Sequence, residues 1–402
     1  MSRPPEEDWS RLWSLDPEIT FLNHGSFGAC PPAILEVQRK YRDQLEREPV
    51  RFFVRELEPL LDQAREALSR FVGADAQDLV FVHNATTGVN VVLRSLRFSP
   101  GDELLITDHA YPACRNSLEY AADRAGAKVV VARLPFPVSS EDVAVNSVLS
   151  RVTQRTRLAM LDHITSPTAI VLPVKRLVSE LNLLGVDTLV DGAHAPGMVR
   201  LDLRSLNAAY YTGNCHKWLC SPKGAAFLHV RRDKQGEIVP LTISHGQSSR
   251  RTDRSSFRLQ FDVNATVDPS PFLCVPDSIA FLEKLLDGGW KALMARNRDT
   301  ALAARETLCR SLQLSKPVPD SMIGSMAALP LPPIDGDGDA SPNTLDPLQD
   351  ELFERFRIEL PVWSWPSPPV RLFRISAQLY NTAKQYEFLA EALGQCRFLK
   401  MA

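Results

Sequence analysis

The chain has 402 residues, 44% of them apolar, 23% charged and 8% aromatic, fractions that exclude a disordered or fibrous protein. Its 46 basic and 48 acidic residues leave a net charge of −2, which gives no reason to propose nucleic acid or an anionic membrane as partner. No apolar run approaches the roughly 18 residues of a membrane span, the polar start MSRPPEEDWSRLW lacks a secretory apolar core, and the seven irregularly spaced cysteines read as reduced, so the expected compartment is the cytoplasm.

Taken in chain order, short β-branched runs alternate with amphipathic stretches. The expected strands are Leu79–His83, Glu103–Thr107, Lys128–Ala132, Leu158–Ile164, Thr188–Asp191 and Ala225–Val230, with helices between them such as Pro173–Leu184. This spacing predicts an α/β fold with a mostly parallel sheet between helices. Such sheets bind ligands beyond the carboxyl ends of their strands. From about residue 276 the pattern changes. Residues 277–315 read as a long helical stretch broken near Gly288-Gly289, followed by a strand near Arg371–Ser376 and a last helix, Thr382–Leu393. The expected division is an N-terminal arm (1–20), a large α/β domain (21–275) and a small C-terminal α+β domain (276–402). The low-complexity stretch 329–347 reads as a surface loop.

Three motifs carry chemistry. In TLVDGAHAPG (188–197) a strand delivers Asp191 to its carboxyl end, with His194 three residues on. Taken alone, Asp191 could cap the next turn; it could also pair with a cationic ring nitrogen. Lysine is scarce here, 11 residues against 35 arginines, and Lys217 follows His216 in the loop-like YYTGNCHKWLCSPKG (210–224), where Lys223 is its rival. In LVFVHNATTGVN (79–90) a strand runs through Asn84 into a helix. Asn84 suits an N-cap, and the amides that follow, with Thr86 and Thr87, form an anion site suited to phosphate. A phosphate site, an acid for a pyridine nitrogen and a Schiff-base lysine are together what pyridoxal phosphate needs from a protein.

With FLNHGSFGACP (21–31), TDHAYPACRNSLEY (107–120) and RISAQLYN (374–381), these motifs resemble those of the class V aminotransferase-type branch of fold-type I pyridoxal-phosphate enzymes. Within it the chain is most similar to isopenicillin N epimerase-like proteins. The resemblance implies a large domain with a mostly parallel sheet, a small C-terminal α+β domain, a homodimer, and pyridoxal 5'-phosphate as cofactor. It implies that Lys217 forms the Schiff base and that Asp191 meets the ring nitrogen. It places His194 at the phenolate oxygen, and Thr86 (with the backbone of Ala85), Thr212 and His216 at the phosphate, beside the Thr87 that the helix start already offers. Tyr111, or its rival His109, would stack on the ring. Thr266 in FDVNATVDPS would reach the phosphate of the partner subunit, and Arg374 would hold the substrate α-carboxylate. Asn23, His24, His109 and Tyr111 are the polar candidates near the reacting carbons.

One departure bears on the reaction. Desulfurases of this family carry a nucleophilic cysteine shortly before the carboxylate-binding arginine; here that stretch is PVWSWPSPPV (361–370), without a cysteine. The expected activity is therefore Cα or Cβ chemistry on an amino acid, by epimerisation or C–S β-elimination, with transamination as the alternative. A metal-dependent hydrolase built on Asp108-His109 or Asp162-His163 lacks HExxH or clustered Cys/His spacing, so no metal is expected. A non-catalytic scaffold would not need Lys217, Asp191 and Arg374 together. The arginine-rich 243–257 loop could contact a distal substrate carboxylate or form a solvated face.

Overall fold

The computed structural model describes residues 9–333 and 346–397. Its strands are β1 (Thr20–Phe21), β2 (Leu79–Val82), β3 (Glu103–Thr107), β4 (Lys128–Ala132), β5 (Thr156–Asp162), β6 (Asp187–Asp191), β7 (Tyr210–Asn214), β8 (Ala226–Val230), β9 (Met326–Leu331), β10 (Ile358–Glu359), β11 (Val362–Ser364) and β12 (Arg371–Ser376). Seven of them form one sheet in the order β2-β8-β7-β6-β5-β3-β4. The ladders from β7 through β4 are parallel, and β8 runs antiparallel to both neighbours.

The sequence pattern explains this sheet. Strands β3, β7 and β8 are buried at every position, as expected for strands covered on both faces. Successive residues feed opposite cores. Leu105, Ala159, Leu161, Val190 and Tyr211 pack into one, while Leu104, Leu158, Met160, Leu189 and Tyr210 pack into the other. Asp191, two residues after Leu189, therefore points to the face covered by the helices Ala85–Ser95 and Pro112–Ala125.

Strand β7 differs from the expectation of a loop over 210–224. Two tyrosines and a threonine favour an extended chain, and full burial between β6 and β8 outweighs the small residues that follow.

A second sheet, β11-β12-β9, is antiparallel, and β1 pairs with β10. The end of the N-terminal arm is thus tied to the C-terminal region. The helical stretch breaks where the two glycines fall, into Val275–Glu283 and Gly289–Ser311. The last helix, Ala383–Gln395, starts with a capping box of Thr382 and Gln385. Of the low-complexity stretch, residues 334–345 lie outside the described residues.

Candidate active site

The carboxyl ends of β5, β6 and β7 open into a cavity of about 1870 Å³, which also reaches β11 and β12 of the second sheet. Its lining includes Lys217, Asp191, His194, Tyr111, Ala85, Thr86, Thr87, His216, Asn23 and Arg374.

At one end lies the start of the helix Ala85–Ser95. Asn84 is the N-cap, its Oδ1 accepting from the Thr87 amide at 2.8 Å. The Ala85 amide donates to Asn214 Oδ1 at 2.8 Å. The Thr86 amide between them has no protein acceptor among the described residues, which suits this helix start to an anion. The helix sits close on β7, because Gly88 faces Thr212, whose Oγ1 would lie 2.2 Å from any Cβ at position 88.

That close packing corrects one residue. Thr212 is fully buried beneath the helix and donates its hydroxyl to the Phe227 carbonyl at 2.9 Å, so it does not face the cavity. Asn214, two positions on along β7, lines the cavity instead. The period of two along a strand puts both residues on one face, but only Asn214 reaches beyond the sheet edge. His216 joins it, with Nδ1 held by the Ala225 carbonyl at 2.9 Å and burial holding its pKa down near 4, so the ring is neutral at pH 7.

Asp191 is buried at the end of β6. Its carboxylate accepts from the Ala193 amide at 3.0 Å and from the Cys114 thiol at 3.1 Å. Asp162, its register partner at the end of β5, also lines the cavity. Burial raises the pKa of both acids, and for Asp162 the neighbouring Asp191 charge adds to the effect.

Lys217 lies deep in the cavity with Nζ 3.3 Å from His194 Nε2. Desolvation, with the Arg374 charge as the second cause, brings its pKa down to about 7, so half of the amine is neutral near pH 7. His194 is pushed well below its usual range by burial and then by Lys217, and its Nδ1 is buried without a partner among the described residues. Lys223 also lines the cavity but is solvent-exposed.

The backbone of Lys217 is clamped from below. Gly28 adopts φ +70°, a left-handed conformation, and a Cβ there would come within 2.1 Å of the His216 carbonyl oxygen. His24 is fully buried, with Nε2 3.1 Å from the Lys217 carbonyl and Nδ1 2.8 Å from the Tyr380 hydroxyl. This corrects its expected place beside the substrate: His24 is under the lysine loop, and burial lowers its pKa to about 3. Asn23 does line the cavity, within 3.3 Å of Glu359 and 2.5 Å of Ser26.

Of the two stacking candidates, only Tyr111 lines the cavity, with 43% of its surface exposed. His109 is fully buried behind it, held by Thr168 at 2.7 Å and the Leu134 carbonyl at 3.0 Å.

At the other end stands Arg374 of β12. It is 2% exposed, and no acid lies within ion-pair distance of it among the described residues. Its Nη1 donates to the Ser166 carbonyl at 2.6 Å, its Nη2 to Ser26 at 3.3 Å, and its Nε has no partner among the described residues. Burial lowers its pKa to about 10, which leaves it charged at pH 7.

Two expected elements lie elsewhere. Thr266 is exposed on the 263–268 loop, outside the cavity. In the arginine-rich loop, Arg251 pairs with Glu58 and Asp253, and Arg254 and Arg258 pair with Asp62, so these arginines serve the helix Leu57–Val72 rather than a ligand. Among the cavity residues that sequence reasoning did not place at this site are Asn214, Ser166 and Trp363, and Asp162, weighed only as a metal ligand, joins them. For Asn214 a signal existed, since it stands three positions before Lys217 at a strand end.

The family model for Aminotransferase class-V matches residues 28–260. The chain is 37% identical over 396 residues to an isopenicillin N epimerase of Amycolatopsis lactamdurans, covering 95% of this chain and 96% of that one. It is 32% identical over 403 residues to a probable chloroplastic L-cysteine desulfhydrase of Arabidopsis thaliana, covering 94% of this chain and 83% of that one. Among solved structures it is similar to the cystine C-S lyase C-DES in complex with cysteine persulfide, with TM-score 0.75, 22% identity, and 93% and 97% of the two chains covered. It is also similar to the cysteine desulfurase CsdA of Escherichia coli, with TM-score 0.76, 19% identity and 98% of each chain covered. A mutant of C-DES with glycine covalently linked to its PLP cofactor aligns with TM-score 0.76 at 21% identity over all of both chains. The chain belongs to the class V aminotransferase family, and its fold is the α/β architecture of these enzymes.

Proposed function

We propose that the chain is a pyridoxal-phosphate enzyme acting at Cα or Cβ of an amino-acid substrate, by epimerisation or by C–S β-elimination. The observation that carries this is one cavity holding Lys217 with a pKa near 7, buried Asp191 and the unpaired Arg374 cation, with an open helix start beyond them.

The residues fit the cofactor. The Thr86 amide and the Asn214 amide group would hold its phosphate, the Thr87 hydroxyl joining by leaving Asn84, the Ala85 amide by leaving Asn214 and His216 by taking up a proton beside the dianion; Asp191 would hold its ring nitrogen, Tyr111 its ring face and Lys217 its aldehyde. His194 Nδ1, buried without a partner among the described residues, supports a further polar ligand beside Lys217. When bound, the cofactor supplies an electron sink for the pair left when a Cα bond breaks.

The chain supplies the rest. Arg374 grips the α-carboxylate through charge-assisted hydrogen bonds, which fixes the orientation of Cα. Lys217, half neutral near pH 7, takes the Cα proton. Asp191 keeps a positive charge on the ring nitrogen, because a buried carboxylate favours the cation beside it. Burial raises all seven thiols above their ordinary range. None is therefore a ready thiolate for sulfur transfer, and the 361–370 stretch presents Trp363 and Trp365 to the cavity instead.

The names of the relatives support both fates, and a product assay separates them. A cysteine conjugate yielding pyruvate and ammonia marks elimination. Deuterium uptake at Cα with inversion and no keto acid marks epimerisation. A persulfide trapped on any cysteine would contradict both.

The proposal includes a C₂ homodimer with Thr266 near the partner's site. Phe27, 76% exposed, and Leu241, 46% exposed, both line the cavity and leave apolar surface there for a second subunit. Light scattering at micromolar concentration tests it, and a monomer with full cofactor occupancy would contradict it. The described residues include no helix long and apolar enough to cross a membrane. A cytoplasmic location is part of the same proposal.

A further inference from the structure

We propose that Trp363 is a second carboxylate donor, its indole N–H completing the site that Arg374 begins. The inference rests on the reading of Arg374 as the carboxylate cation and goes beyond it to a residue of a different strand.

Three observations meet at this position. The guanidinium carbon of Arg374 lies 5.2 Å from the centroid of the Trp363 ring. A cation held over an indole face is attracted by the ring's quadrupole, more strongly where water is excluded. Both residues line the same cavity. The Trp363 Nε1 and the Arg374 Nε are each buried, and neither has a hydrogen-bond partner among the described residues.

A buried donor without an acceptor carries a desolvation penalty that a ligand can relieve. An indole N–H can only donate, as can a guanidinium. Two orphaned donors on stacked side chains lining one cavity therefore suit one anionic acceptor with more than one oxygen. A carboxylate has two. The ligand class is the α-carboxylate of an amino acid, one oxygen meeting the guanidinium and the other the indole.

Backbone geometry holds the pair together. Trp363 of β11 is the register partner of Leu372 on β12, two residues before Arg374, so the two side chains come from neighbouring antiparallel strands. The remaining guanidinium nitrogens are committed to Ser166 and Ser26, which fixes the plane of the fork. Trp363 thus stands in the stretch that separates this chain from the sulfur-transferring desulfurases, and there it contributes a donor rather than a nucleophile.

The test uses the cofactor-loaded enzyme with glycine as probe, following the visible band. Trp363→Phe keeps an aromatic face over Arg374 and removes the N–H. Trp363→Leu removes both. Glycine affinity is expected to fall about tenfold in Trp363→Phe and further in Trp363→Leu, with the Lys217 band unchanged before glycine is added. Wild-type glycine affinity in Trp363→Phe overturns the proposal. Loss of the Lys217 band in that variant also overturns it, because Trp363 would then serve the cofactor. Failure of the pyridoxal-phosphate reading shows separately, as a wild-type protein without a Lys217-dependent band. In that event calorimetric titration with glycine serves as readout. Binding in wild type that weakens about tenfold in Trp363→Phe supports the indole contact, and equal binding in the two proteins overturns it.

Discussion

Lys217 and Asp191 hang from the ends of neighbouring parallel strands of the seven-stranded sheet, whereas Arg374 and Trp363 come from a separate antiparallel sheet on the far side of the cavity. The first group is fixed by a ladder with helices packed on both faces and by the clamp of Gly28 and His24 under the lysine. The second is fixed by a short hairpin and by contacts to the Ser166 and Ser26 loops. On the proposed reading, one end would carry the shared chemistry on rigid elements, and the other would carry the ligand on elements that can vary without disturbing it. The two ends also differ in charge balance. Asp162 and Asp191 crowd two acids together, while Arg374 stands as a buried cation with no acid partner among the described residues.

This contrast predicts a graded set of losses. The largest is Lys217→Ala, which should abolish the visible band and turnover while circular dichroism shows an intact fold. An unchanged band would transfer the role to Lys223 and erase the distinction between the half-buried and the exposed lysine.

Next is Asp191→Asn. The amide cannot hold the ring nitrogen protonated, so turnover should fall by about 10²–10⁴, the scale of a positioned acid–base group, with cofactor still bound. Near-normal turnover would show that Asp191 has another task.

Arg374→Ala should act mainly on the other end. A lost charge-assisted pair costs roughly 1.5–3 kcal/mol, or about 10–100-fold in substrate affinity, with the cofactor band intact. Loss of the cofactor instead would place Arg374 in the first group.

The smallest effect is a coupling between the ends. Capture of the aldehyde needs the neutral amine, and the Lys217 pKa is lowered to about 7. The capture rate should therefore rise with pH through about 7 and level off above it. Because the Arg374 charge contributes to that lowering, Arg374→Ala should move the midpoint upward. A rate that keeps rising toward the pKa of a free lysine would mean that the cavity does not desolvate Lys217.

The two regions were unequally legible in the sequence. Strand–helix alternation announced the parallel sheet because buried parallel strands are continuous apolar runs. Asp191 could be found because it ends such a run, and Lys217 because lysine is rare in this chain. Strand β7 was hidden by the glycine and asparagine that end it, and with it went Asn214, since a loop assignment gives no facing rule. His24 and His109 were misplaced for a related reason. Each sits among polar motif residues, yet each is fully buried, and its hydrogen bonds run to partners far along the chain, Tyr380 and Thr168. The orphaned indole of Trp363 is a matter of side-chain geometry, which a residue pattern does not carry.

The account turns on which side chain holds the cofactor. The most direct measurement is borohydride reduction of the pyridoxal-phosphate-loaded protein followed by peptide mapping by mass spectrometry. The account predicts a single reduced adduct on Lys217, gone in Lys217→Ala. An adduct on Lys223, or none on a protein saturated with pyridoxal phosphate, would contradict it.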